Sequence, residues 1–305
     1  MRHWIRSFLI AAAAATAWTP ASAANLRTWV SGRGADQAGC GPIATPCRTL
    51  QYAHDNTTAG GEINVLDAAG YGSLAIGKAI SVINDGAGVA GVLAPSGGNG
   101  VTITAGSDDD ITLRGLTIEG MGAGTHGIAF FGGRGLSVSN CSVQNFTGDG
   151  IQLYTSPSVL LPAKVRIAGV TIEKAGSKGI NQMGGPLLVQ IENTSVFRAG
   201  FGIVLAPTSG TTTASILSAH VSSVVIGIEF VGTSATVVGA VDSSSVSHGG
   251  NIGYYTNGSQ ATMYLSRSVS RGFNAGANQV SGKIYSYGNN MFEDSGAGVT
   301  AIPMR

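Results

Sequence analysis

Charged side chains are scarce in this sequence. Lys, Arg, Asp and Glu make up 11% of its 305 residues, against about 25% in an ordinary globular domain. The 17 basic and 16 acidic residues nearly cancel, so no overall field favours nucleic acid or a membrane surface as partner. Long amphipathic stretches are also scarce, which disfavours a stack of helical repeats. Gly, Ser, Thr, Val and Ile abound instead, and this composition favours extended structure.

The first 23 residues have the features of a signal peptide. Arg2 and Arg6 precede an apolar run of about 11 residues, which is too short to span a bilayer. The small residues Ala21-Ser22-Ala23 follow as a cleavage site. We therefore predict export to the periplasm or beyond, with residues 1–23 removed and no membrane span in the mature chain. The removal would leave 15 basic and 16 acidic residues, a formal charge of −1.

A short motif of Gly, Ile and a hydrophobic residue recurs along the chain. GIAF, GIQL, GINQ, GIVL and GIEF are followed by looser copies, at intervals of 22 to 29 residues. A recurring period in this range indicates a solenoid. We interpret each Gly as a corner, where a tight turn or a close backbone approach precedes an inward-facing strand residue. The repeated glycines are Gly127, Gly150, Gly179, Gly202, Gly227, Gly253, Gly276 and Gly298.

Four columns of mostly β-branched residues recur once per repeat, and the apolar pattern within a repeat alternates, breaks phase and alternates again. The sequence therefore predicts an all-β fold, a right-handed parallel β-helix with three short strands per coil. The first column is Ile118, Val143, Ile172, Val196, Val221, Val246, Val269 and Met291. The second is Leu113, Val138, Ile167, Ile191, Ile216, Val241 and Tyr264. The others are Ile111, Leu136, Val165, Val189 and Ala214, and Ile128, Ile151, Ile180, Ile203, Ile228 and Tyr254.

Residues 24–61 are predicted to cap the β-helix, which takes residues 62–305. Thr45 as N-cap, Pro46 at the first helical position and apolar residues at helical spacing predict a short helix that ends by Gly60-Gly61. This helix would cover the first coil, whose open edge would otherwise invite aggregation. No comparable cap follows at the C-terminal end, which could be covered by its own tail or by a second subunit in a homo-oligomer.

The three cysteines have different predicted roles. Cys40 and Cys47 flank a short loop, and an exported chain meets an oxidising compartment, so we predict a disulfide between them. Cys141 occupies the slot that Leu116 and Val170 fill in neighbouring repeats. It is therefore predicted to be a small buried hydrophobe rather than a reactive thiol.

Several stretches resemble the pectin-lyase-like right-handed parallel β-helix repeat proteins, and most of all their small secreted bacterial members. They are TLQYA in the cap segment, the entry strand AGGEINVLD and the coil SNCSVQNFTGDGI, and the resemblance covers roughly residues 26 to 300. It implies the β-helix fold, whereas one scaffold carries many activities. Members include polysaccharide lyases, hydrolases, epimerases, adhesins and tailspikes. A polysaccharide or cell-surface glycan is therefore the partner that the resemblance implies.

The corner before each repeated Gly is the most polar part of the coil. His126, Asp149 and Lys178 occupy equivalent positions in three consecutive coils. They would lie about one strand spacing apart, close enough to interact. We predict them as the catalytic residues of an enzyme. Asp149 would serve as acid or ion ligand, Lys178 as base or charge neutraliser, and His126 would assist.

Five nearby residues are predicted to bind substrate: Gln152, Glu173, Lys174, Asn181 and Arg198. Lys174 and Arg198 lie one coil apart and repel each other unless an anion lies against them or Glu173 neutralises them. A carboxylate-bearing sugar would do this, with bidentate contact from Arg198, which is also an alternative base. The long turn at residues 154–162 is predicted to form one wall of a groove at this corner.

The catalytic signatures of the β-helix pectin enzymes are incomplete. Ser247-His248-Gly249 lacks a leading Gly, the Arg-x-Pro-x-x-Arg pattern of the lyases is missing, and Asp108-Asp109-Asp110 is interpreted as a solvated turn at another corner. Inverting hydrolysis needs two carboxyl groups about 6.5–9.5 Å apart, for which Asp149 and Glu173 are the candidates. We therefore favour a non-catalytic exported protein that binds a glycan or packs at the cell surface. The alternative is a lyase or hydrolase acting on an acidic, uronate-type polysaccharide, and a lyase would call for Ca²⁺.

Overall fold

Short segments of alternating β-branched residues form parallel strands that wind into a right-handed solenoid, which confirms the predicted fold. A computed structural model describes residues 25–157, 161–294 and 298–302, and the predicted signal peptide lies outside them. Each of about nine turns contributes one strand to sheet A, one to sheet B and one to sheet C. Within the described residues the three sheets contain 12, 10 and 9 strands respectively.

The elements are numbered in chain order. The solenoid is preceded by β1 (Asn25–Val30) and α1 (Leu50–Asp55). The first three coils contain β2 (Thr57–Val65), β3 (Ala69–Gly70), β4 (Leu74–Ile76), β5 (Ile80–Ile83), β6 (Ala90–Leu93), β7 (Val101–Thr104), β8 (Asp110–Arg114), β9 (Leu116–Glu119) and β10 (Ile128–Gly132). The next three contain β11 (Gly135–Ser139), β12 (Ser142–Phe146), β13 (Ile151–Thr155), β14 (Ala163–Ala168), β15 (Thr171–Ala175), β16 (Lys178–Gly184), β17 (Leu187–Glu192), β18 (Ser195–Phe197) and β19 (Phe201–Pro207). The remainder contain β20 (Thr211–Leu217), β21 (His220–Ser222), β22 (Ile226–Val231), β23 (Thr236–Asp242), β24 (Ser245–Ser247), β25 (Ile252–Asn257), β26 (Ala261–Ser266), β27 (Val269–Arg271), β28 (Ala275–Val280), β29 (Lys283–Ser286), β30 (Met291–Phe292) and β31 (Thr300–Ala301). β1 and β2 begin sheet A, β3 begins sheet B and β4 begins sheet C, and from β2 to β30 every third strand belongs to the same sheet, with β31 as the last strand of sheet A.

Consecutive coils pair in parallel register, so that equivalent residues stack in columns inside the solenoid. The column after the repeated glycines on sheet C is paired and fully buried throughout, as predicted, and consists of Ile128, Ile151, Ile180, Ile203, Ile228 and Tyr254. The predicted columns on sheets A and B also face the core as far as Val241 and Val246. Removal of this apolar surface from water is the main favourable contribution to folding.

The predicted alignment is wrong by one residue in the last coils. Leu265, and not Tyr264, pairs with Val241 and faces the core. On sheet B the partner of Val246 is the buried Ser270 instead of Val269, and Met291 is exposed because it pairs with Val269. A slip of one residue moves every side chain of a strand to the other face.

The repeated glycines stand at corners because the next coil approaches them too closely for a side chain. A Cβ on Gly202 would lie 2.2 Å from the carbonyl oxygen of Gly227 and 2.4 Å from Val221 Cγ1. None of the repeated glycines has a positive φ, so close approach and not turn geometry requires them. The looser copy at Gly298 is different, because β31 after it pairs with β29 on sheet A.

The corners between sheets B and C use left-handed backbone. Asn145, Lys174, Arg198, Ser223 and His248 stand at equivalent bends and have φ between 52° and 61°. This conformation is uncommon for residues other than Gly, Asn and Asp. Two of the predicted substrate-binding residues, Lys174 and Arg198, therefore belong to the bend.

The N-terminal segment adds a strand and a helix to one end of the solenoid. β1 pairs with β2, and β2 crosses the predicted boundary between residues 61 and 62. Helix α1 begins at Leu50 with Thr49 as its N-cap, and not at Pro46. The reason is that the N–H of Cys47 donates to the carbonyl of Trp29, which holds this stretch in extended pairing with β1.

The cysteines are used in two ways. Cys40 and Cys47 are joined by a disulfide beside the cap helix. Cys141 is a free thiol, only 3% exposed, between Leu116 and Val170 in the core. Burial raises the pKa of this thiol to about 11, so at neutral pH it carries almost no nucleophilic thiolate.

The C-terminal end carries no helix in the described part of the chain. Sheet A ends with the two-residue strand β31, and sheet C ends with β28. Among the residues described, no helix has the length and apolar character that crossing a membrane requires.

Candidate functional site

The predicted catalytic residues lie where the chain enters sheet C. His126 and Asp149 stand two residues before the inward-facing Ile128 and Ile151 of β10 and β13, and Lys178 begins β16. The parallel register of these strands stacks the three residues on consecutive coils. The structure therefore brings this predicted column together at one corner.

Asp149 is committed to hydrogen bonds within the protein. Its Oδ1 accepts from the backbone N–H of Lys178 at 3.0 Å, and its Oδ2 accepts from the side-chain amide of Asn181 at 2.7 Å. The residue is only 3% exposed. These two bonds link Asp149 to the next coil. The carboxyl group therefore ties two coils together and leaves little surface for a substrate.

His126 forms a neutral hydrogen-bonding group beside Asp149. Its Nδ1 accepts from the backbone N–H of Asp149 at 3.0 Å, and the Asp149 carboxylate lies 3.9 Å away. Burial lowers the pKa of His126 and outweighs the opposing effect of the Asp149 charge. A ring whose Nδ1 accepts carries its proton on Nε2. His126 can therefore donate from Nε2, but the proton that it offers is not mobile near neutral pH.

The predicted cationic pair at the bend is partly neutralised. The guanidinium of Arg198 forms an ion pair with Glu173 of the preceding coil. Lys174 is exposed. In the part of the chain that the structure describes, no hydrogen bond or ion pair joins Glu173 or Arg198 to Asp149. The two carboxyl groups predicted for inverting hydrolysis therefore have separate partners. Asp149 bonds to Lys178 and Asn181, whereas Glu173 is paired with Arg198.

The outer face of sheet C carries the exposed groups of this region. Gln152 and Asn181 pair across β13 and β16 on the outward side of the strands, but only Gln152 is partly exposed, because Asn181 is 2% exposed and bonded to Asp149. Two residues further along, Phe131 and Tyr154 are 39% and 40% exposed, and their rings meet edge to face with centroids 6.3 Å apart. Sequence reasoning missed this aromatic pair. The sequence signal for this pair is that both aromatic residues stand three positions after the inward-facing residues Ile128 and Ile151, on the outward side of the strand.

Glu229 is a second residue that sequence reasoning missed. It stands on the outward side of β22, in the same column as Gln152 and Asn181, with Val204 between. Burial raises the pKa of its carboxyl, and the positive charge of Lys178 opposes this shift. The residue after each repeated Gly-Ile would have identified it. Lys178 and Glu229 are therefore electrostatically coupled across the face of sheet C.

Residues 158–160 of the predicted long turn lie outside the described residues. The described part of the turn stands between β13 and β14, where sheet C leads into sheet A, at the opposite edge of sheet C from Asp149 and away from the predicted corner. The strand between them has five residues, about 16 Å at 3.3 Å per residue. A cavity of about 560 Å³ lies at this second corner and is lined by Asp108, Phe131, Arg134 and Leu161, among others.

The carboxylate oxygens at the Asp149 corner do not fit the ligand set of a calcium ion. Ca²⁺ takes six to eight oxygen ligands, whereas both oxygens of Asp149 already accept from N–H groups and Glu173 is paired with Arg198. Over residues 25–157, 161–294 and 298–302, no three His, Cys, Asp or Glu side chains are grouped as metal ligands. The Ca²⁺ that a lyase would require stays a prediction.

Comparisons with known proteins agree with this fold. A family model described as "Right handed beta helix region" matches residues 54–241. The structure is similar to that of pectate lyase Pel9A, at 15% identity and a TM-score of 0.52, over 84% of this chain and 80% of that chain. A rhamnogalacturonan lyase is similar at 13% identity and a TM-score of 0.46, over 85% and 75% of the two chains. No curated protein matches the chain. The solenoid, its register and the match over most of its length place this chain in the family of proteins with a right-handed β-helix region.

Proposed function

We propose that this protein binds a polysaccharide or cell-surface glycan on the outer face of sheet C without cleaving it. The observation that carries the proposal is the bonding of Asp149. Both of its oxygens accept internal hydrogen bonds in a nearly closed site, so the central carboxylate of the predicted catalytic column is engaged within the protein and presents little surface to a substrate.

The exposed groups on the outer face of sheet C support a binding role. Phe131 and Tyr154 offer exposed apolar ring surface of the kind on which a sugar ring packs. The side chain of Gln152 has no internal partner in the described part of the chain, and an amide both donates to and accepts from hydroxyl groups. Binding sites of this kind combine apolar surface with a few polar groups that orient the ligand.

Export is part of this proposal. A glycan of the cell surface is met outside the cytoplasm, and the first 23 residues have the features of a signal peptide. N-terminal sequencing of the chain recovered outside the cytoplasm tests this point, and we expect it to begin at Ala24.

The binding test uses a panel of acidic and neutral polysaccharides, with and without Ca²⁺. Retention of the protein, ultraviolet absorbance of unsaturated products and new reducing ends are recorded for each. We expect retention without products. Tyr154→Ala should weaken retention about tenfold, a loss of about 1.4 kcal/mol, whereas Leu217→Ala, also 40% exposed but on sheet A, should not. Equal retention of both variants would reject the site.

The second candidate is a lyase or hydrolase acting on an acidic polysaccharide. It is favoured by Glu229, because a carboxyl whose pKa is raised by burial is suited to act as an acid. Lys178 would then serve as base or charge neutraliser, with His126 donating from Nε2. If products form in the panel, Glu229→Gln and Lys178→Ala should each abolish them while leaving retention intact.

A further inference from the structure

The outer face of sheet A carries a shallow groove of about 580 Å³ that crosses five coils. It runs from β8 to β20 along the solenoid axis, and small polar side chains form the two ends of its floor. Thr112, Ser137 and Ser215 stack there in one column that also contains Arg166 and Gln190. Hydroxyl and amide groups therefore line a depression that is separate from the face of sheet C.

The groove has an excess of positive charge. Asp110 pairs with Arg134 at one rim, and Arg166 pairs with Glu192 at the other. Lys164 lies between them, is exposed, and has no ion-pair partner among the described residues. Asp110, whose charge acts on Lys164, is itself paired with Arg134. An ammonium group without an ion pair of its own, in a groove of net positive charge, favours an anionic ligand.

A pair of aromatic rings lies beyond one end of the groove, two coils past β20. The floor column continues from Ser215 to Ala240, then to Tyr264 and Tyr285. The two tyrosine rings stack with centroids 5.3 Å apart and planes 23° apart, close to the strand spacing of about 4.8 Å. Their faces therefore point along the solenoid axis. Tyr285 covers one face of Tyr264, and the other face is turned towards the small side chain of Ala240.

We infer that this groove is a second saccharide site, specific for an acidic oligosaccharide. One sugar packs its C–H groups against the free face of Tyr264, a carboxylate pairs with Lys164, and hydroxyls bond to the floor. Lys164 and Tyr264 are four coils apart, about 19 Å. The ligand therefore spans several sugar units. With a site on sheet C as well, one molecule would hold two glycan strands.

The test titrates the full-length chain with tetragalacturonate by calorimetry, with the carboxyl-reduced neutral tetrasaccharide as matched ligand. We expect the acidic ligand to bind at sheet A and the neutral ligand to bind there at least about tenfold more weakly. Lys164→Ala should remove this preference, and Tyr264→Ala should weaken binding about tenfold. Tyr264→Phe keeps the ring face and should change affinity less than about threefold. Circular dichroism confirms that each variant is folded.

The two proposed sites separate in the same experiment. Tyr154→Ala alters only the face of sheet C and should leave the Lys164-dependent binding unchanged. If the acidic ligand binds and only Tyr154→Ala weakens it, the sheet C site stands and the sheet A site is rejected. If Lys164→Ala and Tyr264→Ala bind as the parent does, or if the neutral ligand binds equally well, the inference is wrong.

Discussion

At the scale of single residues, Thr256 is a polar group buried without a partner. Its hydroxyl, on the inward side of β25, forms no hydrogen bond with any residue that the structure describes, and Thr256 is fully buried. An unpaired buried hydroxyl costs about 1–3 kcal/mol. Thr256→Val keeps the shape and removes the hydroxyl, so we expect it to raise the free energy of unfolding by about 1 kcal/mol in urea denaturation.

Thr212 provides the matched control for Thr256. It is also fully buried, but its hydroxyl accepts from the backbone N–H of Leu187 at 3.2 Å. Thr212→Val leaves that N–H without an acceptor and is expected to lower the free energy of unfolding by about 1–2 kcal/mol. Changes of the same sign in the two variants would contradict this account of the core.

Glu229 makes stability depend on pH. Burial raises the pKa of its carboxyl above the ordinary value of 4.5. A pKa that is higher in the folded chain stabilises the fold below the ordinary value, and this contribution is lost as pH rises through the folded-state pKa. Glu229→Gln cannot ionise, so we expect it to melt above the parent at about pH 8 and with it at about pH 3. Calorimetric melting of both proteins checks this, and an equal difference at the two pH values would refute it.

At the scale of the coil, the corner glycines define the spacing of the solenoid. Gly202→Ala would place a Cβ against the Gly227 carbonyl and Val221, and overpacking of this kind costs about 1–3 kcal/mol or more. Gly77, between β4 and β5, has no atom within 4 Å of such a Cβ. Gly77→Ala is therefore expected to stabilise the chain slightly, by about 0.5 kcal/mol. Comparable losses in both variants, measured by urea unfolding, would show that the corners do not set the spacing.

The coil is also the scale at which the sequence was most informative. The regular spacing of the Gly-Ile motifs predicted the inward columns through Val241 and Val246, because each residue in these columns pairs with a similar apolar residue in the next coil. The prediction failed at Tyr264 and Val269. The core positions there are taken by Leu265 and Ser270, neither of which is β-branched, so the sequence pattern does not mark the register.

The site was less predictable than the coil. His126, Asp149 and Lys178 share a column, as expected, but the pattern cannot show where a side chain's hydrogen bonds go. The amide of Asn181, expected to bind substrate, is instead bonded to Asp149. Closeness in sequence was also a poor guide to closeness in space. The long turn follows Asp149 closely along the chain but is separated from it by the length of β13.

For the whole molecule, stability should differ along the axis, because each coil contacts only its neighbours. The Cys40–Cys47 disulfide closes a loop with a separation of seven residues beside the cap, which is worth about 2–3 kcal/mol. Cys40→Ala with Cys47→Ala should speed hydrogen exchange in β1 and β2 while exchange in β16 and β19 stays unchanged. A uniform rise along the chain would instead indicate a single cooperative unit.

The cap at the N-terminal end also bears on the order in which the molecule is made. A chain leaves the ribosome N-terminus first, and its domains generally fold in that order. Here β1 and α1 come first, and from β5 onwards every strand adds to a sheet whose preceding member has already been synthesised. Each folded coil of the nascent protein can thus serve as the template on which the next coil forms. The end that stays open is always the newest one.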